Sequence, residues 1–311
     1  MDYENCERIA IILDTNILHK SRKSINNVSK LPLKRYDDAI FMLEINDMIE
    51  YVNIYIPEIV LLELSSQKIT MLENQLEDLK KLSKEFNNIH EVNIEGHDEF
   101  NIKEHIEFIK DEVFRDVNCI KIPKNRDDMF NYILKMSLDK IPPFNINKDS
   151  DPGFKDSILF LSIISFAKSE EFEKYVLFSK DKIFKTNEKI MTKIFKEKTG
   201  KKLEIEETED VQGYIANKFG LLADFWKYFH NNFYPFMVNE MNEFKHVKIN
   251  NDGIIFNQIN DKECEITLAF SQEFEDNIEI DDVSMTIIFK KENEKWTNDF
   301  DIDYFKEEII Y

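Results

Sequence analysis

Two short apolar runs, each followed at once by an acidic residue, restrict this chain more than any other feature. Ile9 to Leu13 reads IAIIL and leads into Asp14-Thr15-Asn16, while Lys174 to Phe178 reads KYVLF and leads into Ser179-Lys180-Asp181. Neither run alternates apolar with polar residues, so neither suits a strand with one face in water. Both suit strands covered on two faces, as in a parallel sheet sandwiched between helices. An acid placed just after such a strand lies at the sheet's carboxyl edge, where open α/β folds gather their ligands.

The intervening segments change period in the manner this architecture requires. Tyr36 to Tyr51 carries Ile40, Leu43 and Met48 at helical spacing, and Asn53 to Ile56 reads as a second strand, broken by Pro57. Glu58 to Leu82 resumes helical periodicity, with proline where a first helical turn tolerates it. Residues 87 to 147 form a helical insertion, with Ile106, Ile109 and Val113 on one stripe and Met129, Ile133 and Met136 on another. Gly153 to Ala167 is a strongly apolar helix, Ile183 to Lys198 a second, and Leu203 to Ile205 a short edge strand. Strands alternating with helices predict a three-layer α/β fold over residues 1–209, with a central parallel sheet and right-handed crossovers.

Beyond Glu209 the texture shifts. Val211 to Phe229 is helical, but Ile254–Phe256, Glu265–Phe270, Ser284–Phe289 and Trp296–Ile302 read as strands with no helix between them. Residues 210–311 are therefore expected to be a smaller α+β domain, an antiparallel sheet with one helix. Trp226, Tyr228, Phe229 and Phe233 suit a core or a domain interface rather than a base-stacking platform. The domain is acidic: from Asp261 to Tyr311 there are 16 acidic residues against 5 basic.

The net charge of -20 argues against a broad, nonspecific nucleic-acid surface. A site built from carboxylates is itself negative until a cation binds, so acidity weighs less against a nucleic-acid substrate than it first suggests. The chain opens with no charged leader and apolar run, and no stretch reaches the roughly 18 apolar residues of a membrane span. Cys6, Cys119 and Cys264 are far apart and lack metal-ligand spacing. A soluble cytoplasmic protein is expected from these features.

Four acids then draw attention. Asp14 and Asp181 follow the buried strands, Glu63 lies about one and a half turns into the helix after Pro57, and Asp156 opens the apolar helix near Gly153. Each also has a structural use. Asp14 suits a helix cap, Asp156 complements a helix dipole, and Asp181 suits a Ser-Lys-Asp turn. Glu58 competes with Glu63, and Asp151 with Asp156. Acids converging without basic partners raise one another's pKa at considerable cost unless a cation compensates, and an all-oxygen donor set favours Mg²⁺ or Mn²⁺ over zinc. None of the six histidines has zinc-ligand spacing.

LDTN at Leu13–Asn16, PEIVLLEL at Pro57–Leu64, GFKDSILF at Gly153–Phe160 and VLFSKD at Val176–Asp181 together resemble, in order, the four acidic motifs of PIN-domain nucleases. The GFKD form resembles the larger bacterial PIN branch, which carries a helical insertion before the third acid. The resemblance covers Ile9 to about Glu209. It implies that Asp14, Glu63, Asp156 and Asp181 are the catalytic, metal-binding acids, with Asn16 and Ser179 orienting a carboxylate or water. It also implies a Mg²⁺- or Mn²⁺-dependent endoribonuclease, cleaving RNA by metal-activated water in a toxin-like or defence setting. Lys155, beside the third acid, is expected to meet a phosphate. Within the basic stretch Lys20 to Arg35, Arg22 and Lys23 are candidate RNA contacts, with a solvated loop as the alternative.

The 210–311 domain has no counterpart in the family core, and is expected to regulate, to recruit a protein partner or to mediate self-association. Two other functions compete. A catalytically silent scaffold or sensor acts through its partners, though all four acids are intact. An aspartyl phosphatase of the haloacid dehalogenase type needs a second Asp two residues after the first, where this chain has Asn16.

Overall fold

A computed structural model describes residues 7–18, 30–90, 101–144, 153–242, 247–273 and 279–300. Cys6, Lys20, Arg22, Lys23 and Asp151 lie outside the described residues. The chain divides into two compact units, Met1–Asp37 with Ile49–Glu209, and Asp38–Met48 with Asp210–Tyr311.

The first unit is built on a five-stranded parallel sheet in the order β3-β2-β1-β4-β5. Its central strands are β1 (Ile9–Leu13) and β4 (Lys174–Phe178), flanked by β2 (Val52–Pro57) and β5 (Lys202–Glu206). All five residues of β1 are buried, as the absence of polar alternation predicts. An added edge strand, β3 (Cys119–Ile120), pairs with Ile56 and Pro57, so the predicted helical insertion is not wholly helical.

Short helix α1 (Thr15–Leu18) follows β1, and α3 (Glu58–His90) runs on from β2 for 33 residues. The insertion contributes α4 (Ile102–Asp116) and α5 (Arg126–Leu138), in sequence after α2 (Lys34–Ile45) and α3. Helix α6 (Phe154–Ser169) buries Leu159, Phe160, Ile163 and Ala167. The helical segment expected over 183–198 is two helices, α7 (Lys182–Thr186) and α8 (Glu188–Thr199), separated at Asn187. No described helix is long and apolar enough to cross a membrane.

In the second unit, β6 (Val247–Asn260), β7 (Glu263–Glu273), β8 (Glu279–Glu292) and β9 (Lys295–Asn298) form an antiparallel meander. Where one helix was expected, this unit has α9 (Val211–Phe219), α10 (Ala223–Tyr228), a π-helical turn at Phe229–Phe233 and α11 (Tyr234–Asn242). Gly220, in the left-handed region, stops α9. Phe225, Trp226 and Phe229 are fully buried, with Phe225 packed edge-on against Phe289 and Trp296. Phe41 stacks on Phe229 and tilts against Tyr234, which ties Asp38–Met48 to this core.

Candidate active site

Strand register sets the site. In the central ladder Leu13 lies beside Phe178, and Phe178 beside Glu206, so three strands finish in line. The next residues are stitched across: the Asp14 N–H donates to the Phe178 carbonyl and the Ser179 N–H to the Glu206 carbonyl, both at 3.0 Å. Asp14 and Ser179 thereby become neighbours although 165 residues separate them. The Ser179 hydroxyl donates to Asp14 Oδ2 at 2.5 Å and accepts from the Asp181 N–H at 3.1 Å.

Asn16 makes a second stitch. Its side-chain NH₂ donates to Asp14 Oδ2 at 3.2 Å, and its Oδ1 accepts from the Lys180 N–H at 2.9 Å. The Thr15 N–H donates to Asp14 Oδ1 at 2.7 Å. An amide held this way supplies no titrating proton, which is what the phosphatase alternative would need at this position.

The other acids arrive from separate elements. Glu63, in the second turn of α3, accepts from the Thr15 hydroxyl at 2.8 Å and pairs with Lys155 Nζ at 3.0 Å. Glu58, its competitor, is engaged elsewhere, accepting from the Ile122 N–H at 2.9 Å. Asp156 lies in the first turn of α6, and Asp181 caps α7 through the Ile183 N–H at 3.1 Å. Asp14, Glu63, Asp156 and Asp181 line one pocket of about 690 Å³, together with Thr15, Asn16, Gln67, Phe154 and Lys155.

Electrostatics agrees with that convergence. Asp14 is only 8% exposed, and its pKa is raised by burial, against the pull of the Ser179 and Thr15 hydrogen bonds; Glu63 and Asp181 push the same way as burial. Asp156 is pushed up to about 7, first by burial and then by Asp181, Asp14 and Glu63, with Lys155 opposing. Among the described residues that line this pocket, Lys155 is the cation. Its side chain is 63% exposed and tethered at one carboxylate, so it is a displaceable partner rather than a buried counter-charge.

Among the described residues, no group of three or more His, Cys, Asp or Glu is arranged to hold a metal ion. The donors fit in kind, being carboxylate oxygens in electrostatic contact with one another. They also fit in number, because Mg²⁺ keeps several waters and takes only one or two carboxylates directly. On Asp14 and Glu63 these oxygens accept from Ser179, Asn16, the Thr15 N–H and hydroxyl, and Lys155.

At the basic stretch, Lys30 and Lys34 are exposed, whereas Arg35 is bonded to Glu209, as is Lys180 at 2.7 Å. The Thr15 hydroxyl bridge and Gln67 were not anticipated from sequence. Gln67 sits one turn beyond Glu63, its amide 3.5 Å from Glu63 Oε1, and that i,i+4 spacing was the available signal.

A parallel α/β sheet with acids pooled at its carboxyl edge defines a class in which ligand chemistry belongs at the strand ends. A family model for the PIN domain matches residues 11–184, more than half of the chain, and the chain belongs to the PIN-domain family. No curated protein and no solved structure matches it. PIN domains are in general nucleases, hydrolases that act on RNA and use divalent metal ions.

Proposed function

We propose that this chain is a Mg²⁺- or Mn²⁺-dependent endoribonuclease whose cation is held by Asp14, Glu63, Asp156 and Asp181. The observation that supports it best is that four carboxylates from four separate segments line one pocket, with the displaceable ammonium of Lys155 among the described residues that line it. A bound divalent cation supplies Lewis-acid charge at the phosphate and acidifies a water. The protein's own groups do the positioning. Ser179 and Asn16 fix the Asp14 carboxylate between two strand ends, and Thr15 orients Glu63. Lys155 would exchange Glu63 for the RNA phosphate, and Arg22 and Lys23 would contact the RNA backbone. The oxygen of a water would attack phosphorus in line as the bond to the departing ribose oxygen breaks, the water giving up one proton to solvent and the ribose oxygen taking one up to leave as a hydroxyl.

In this reading the protein works in the cytoplasm as a toxin-like or defence effector, and its second unit governs activity or binds a partner. Labelled single-stranded RNA incubated with Mn²⁺ tests the chemistry. The wild-type chain cleaves, EDTA abolishes cleavage, and Asp14→Asn loses on the order of 10² or more in rate, as expected when a group stabilising transition-state charge is removed. Equal cleavage by both proteins removes the nuclease assignment.

A further inference from the structure

The pocket contains a side chain that carboxylate chemistry leaves unused. Phe154 is the only aromatic among the described residues that line it, and it is 45% exposed. Further along the same helix Leu159, Phe160 and Ile163 are at most 3% exposed and Ile158, Leu161 and Phe166 are half-buried, so Phe154 is the one large apolar side chain of this helix left exposed, at the edge of an acidic pocket.

The position of Phe154 is fixed by the backbone before it. Gly153 has φ +129°, a conformation that L side chains rarely adopt, and a Cβ there would come within 2.7 Å of the Pro143 carbonyl oxygen. Its own carbonyl accepts from the Ser157 N–H and hydroxyl at 2.8 and 2.7 Å, locking the first helical turn. Three consecutive residues therefore meet one pocket with three different chemistries: an aromatic face at Phe154, an ammonium at Lys155 and a carboxylate at Asp156.

Resting on the nuclease reading above, we propose that Phe154 is a stacking platform for one unpaired base of the RNA, the base adjoining the phosphate held at the carboxylates. A ring, a cation and a metal-binding acid within one helical turn match, in order, the base, the phosphate and the ion of a single nucleotide. A pocket of about 690 Å³ falls within the size range of small-ligand sites, so a nucleotide fits. Stacking also answers a difficulty posed by the charge. A chain at -20 draws less affinity from counterion release than a basic nuclease does, and base–aromatic contact is independent of that charge. Every base offers a π face, so the contact selects unpaired over paired RNA rather than one base over another.

The test uses the full chain, Mn²⁺ and a single-stranded oligoribonucleotide whose cleavage position has been mapped. A series carries one abasic ribose, moved a residue at a time across that position. Wild type shows a loss of about 5- to 100-fold in kcat/KM at one abasic position next to the cleaved bond, carried mainly by KM. Phe154→Leu, which keeps apolar bulk but no ring, cleaves the intact strand with the same loss and is indifferent to the abasic site. Phe154→Tyr restores both rate and sensitivity. If wild type cleaves and its abasic profile matches that of Phe154→Leu, the stacking role is overturned while the nuclease reading stands. If wild type neither cleaves nor retains the intact oligonucleotide, both are overturned.

Discussion

Asp156 shows how a single carboxyl links the pocket to stability. In the unfolded chain it titrates near 3.8, and in the folded protein near 7, because burial and three neighbouring acids disfavour its charge. Between those values the native state keeps a proton that the unfolded chain has released, so stability falls as pH rises through this window. Metal-free protein should therefore lose denaturant stability between about pH 4 and 7, and Asp156→Asn should flatten that slope and be the more stable protein at pH 8. Urea titrations at pH 5 and pH 8 with EDTA present check this, and an unchanged slope in the variant would refute it. Adding Mn²⁺ at pH 8 should restore stability to wild type but not to the variant, since a cation offsets the repulsion that the amide has already removed.

Among the elements, α7 separates two uses of one residue. Asp181 caps this five-residue helix and also lines the acidic pocket. Asn caps nearly as well as Asp, so Asp181→Asn should stay within a few tenths of a kcal/mol of wild type while weakening cation binding. Asp181→Ala should cost about 1 kcal/mol more in stability. Chemical denaturation and Mn²⁺ titration by calorimetry distinguish the cases; equal Mn²⁺ affinity in wild type and Asp181→Asn would leave the residue only its capping role.

The central strands were legible in the sequence because burial on both faces erases alternation, as in IAIIL and KYVLF. Two-residue β3 carries no period at all, so Cys119 and Ile120 could be placed only by their pairing with Ile56 and Pro57. The π turn at Phe229–Phe233 shares its composition with the helices around it, and nothing local marks its wider hydrogen-bond spacing. At the site, Asp14 and Asp181 were readable from the strand ends, whereas Glu63 and Asp156 came from helix starts and the order of the motifs. The Lys155–Glu63 pair was not readable, since 92 residues separate its members and only the fold brings them together.

On the scale of the whole chain, the two units interleave in sequence. Ile40 and Leu43 announced a helix with a buried face, but spacing alone does not say what covers that face. Asp38–Met48 belongs to the same unit as Asp210–Tyr311, with Ala39, Met42 and Leu43 fully buried, Phe41 against Phe229, and the Gln212 amide donating to the Asp38 carbonyl at 3.0 Å. A fragment of residues 210–311 lacks this helix and should unfold without a sharp transition. Supplying residues 34–48 as a peptide should sharpen it. A fragment that melts alone as cooperatively as the intact chain, followed by near-ultraviolet circular dichroism, would show the helix to be dispensable.

The Ser179 hydroxyl has one hydrogen, and its direction is already decided. That hydrogen points at Asp14, while the oxygen receives the Asp181 N–H. The arrangement suits an ionised Asp14; an acid protonated on Oδ2 would offer a hydrogen of its own to the same oxygen. A proton on that oxygen would turn the hydroxyl away and leave the ends of β1 and β4 joined by the Asp14 N–H and by Asn16, so a proton and a cation at this edge would act in opposite senses on this one bond.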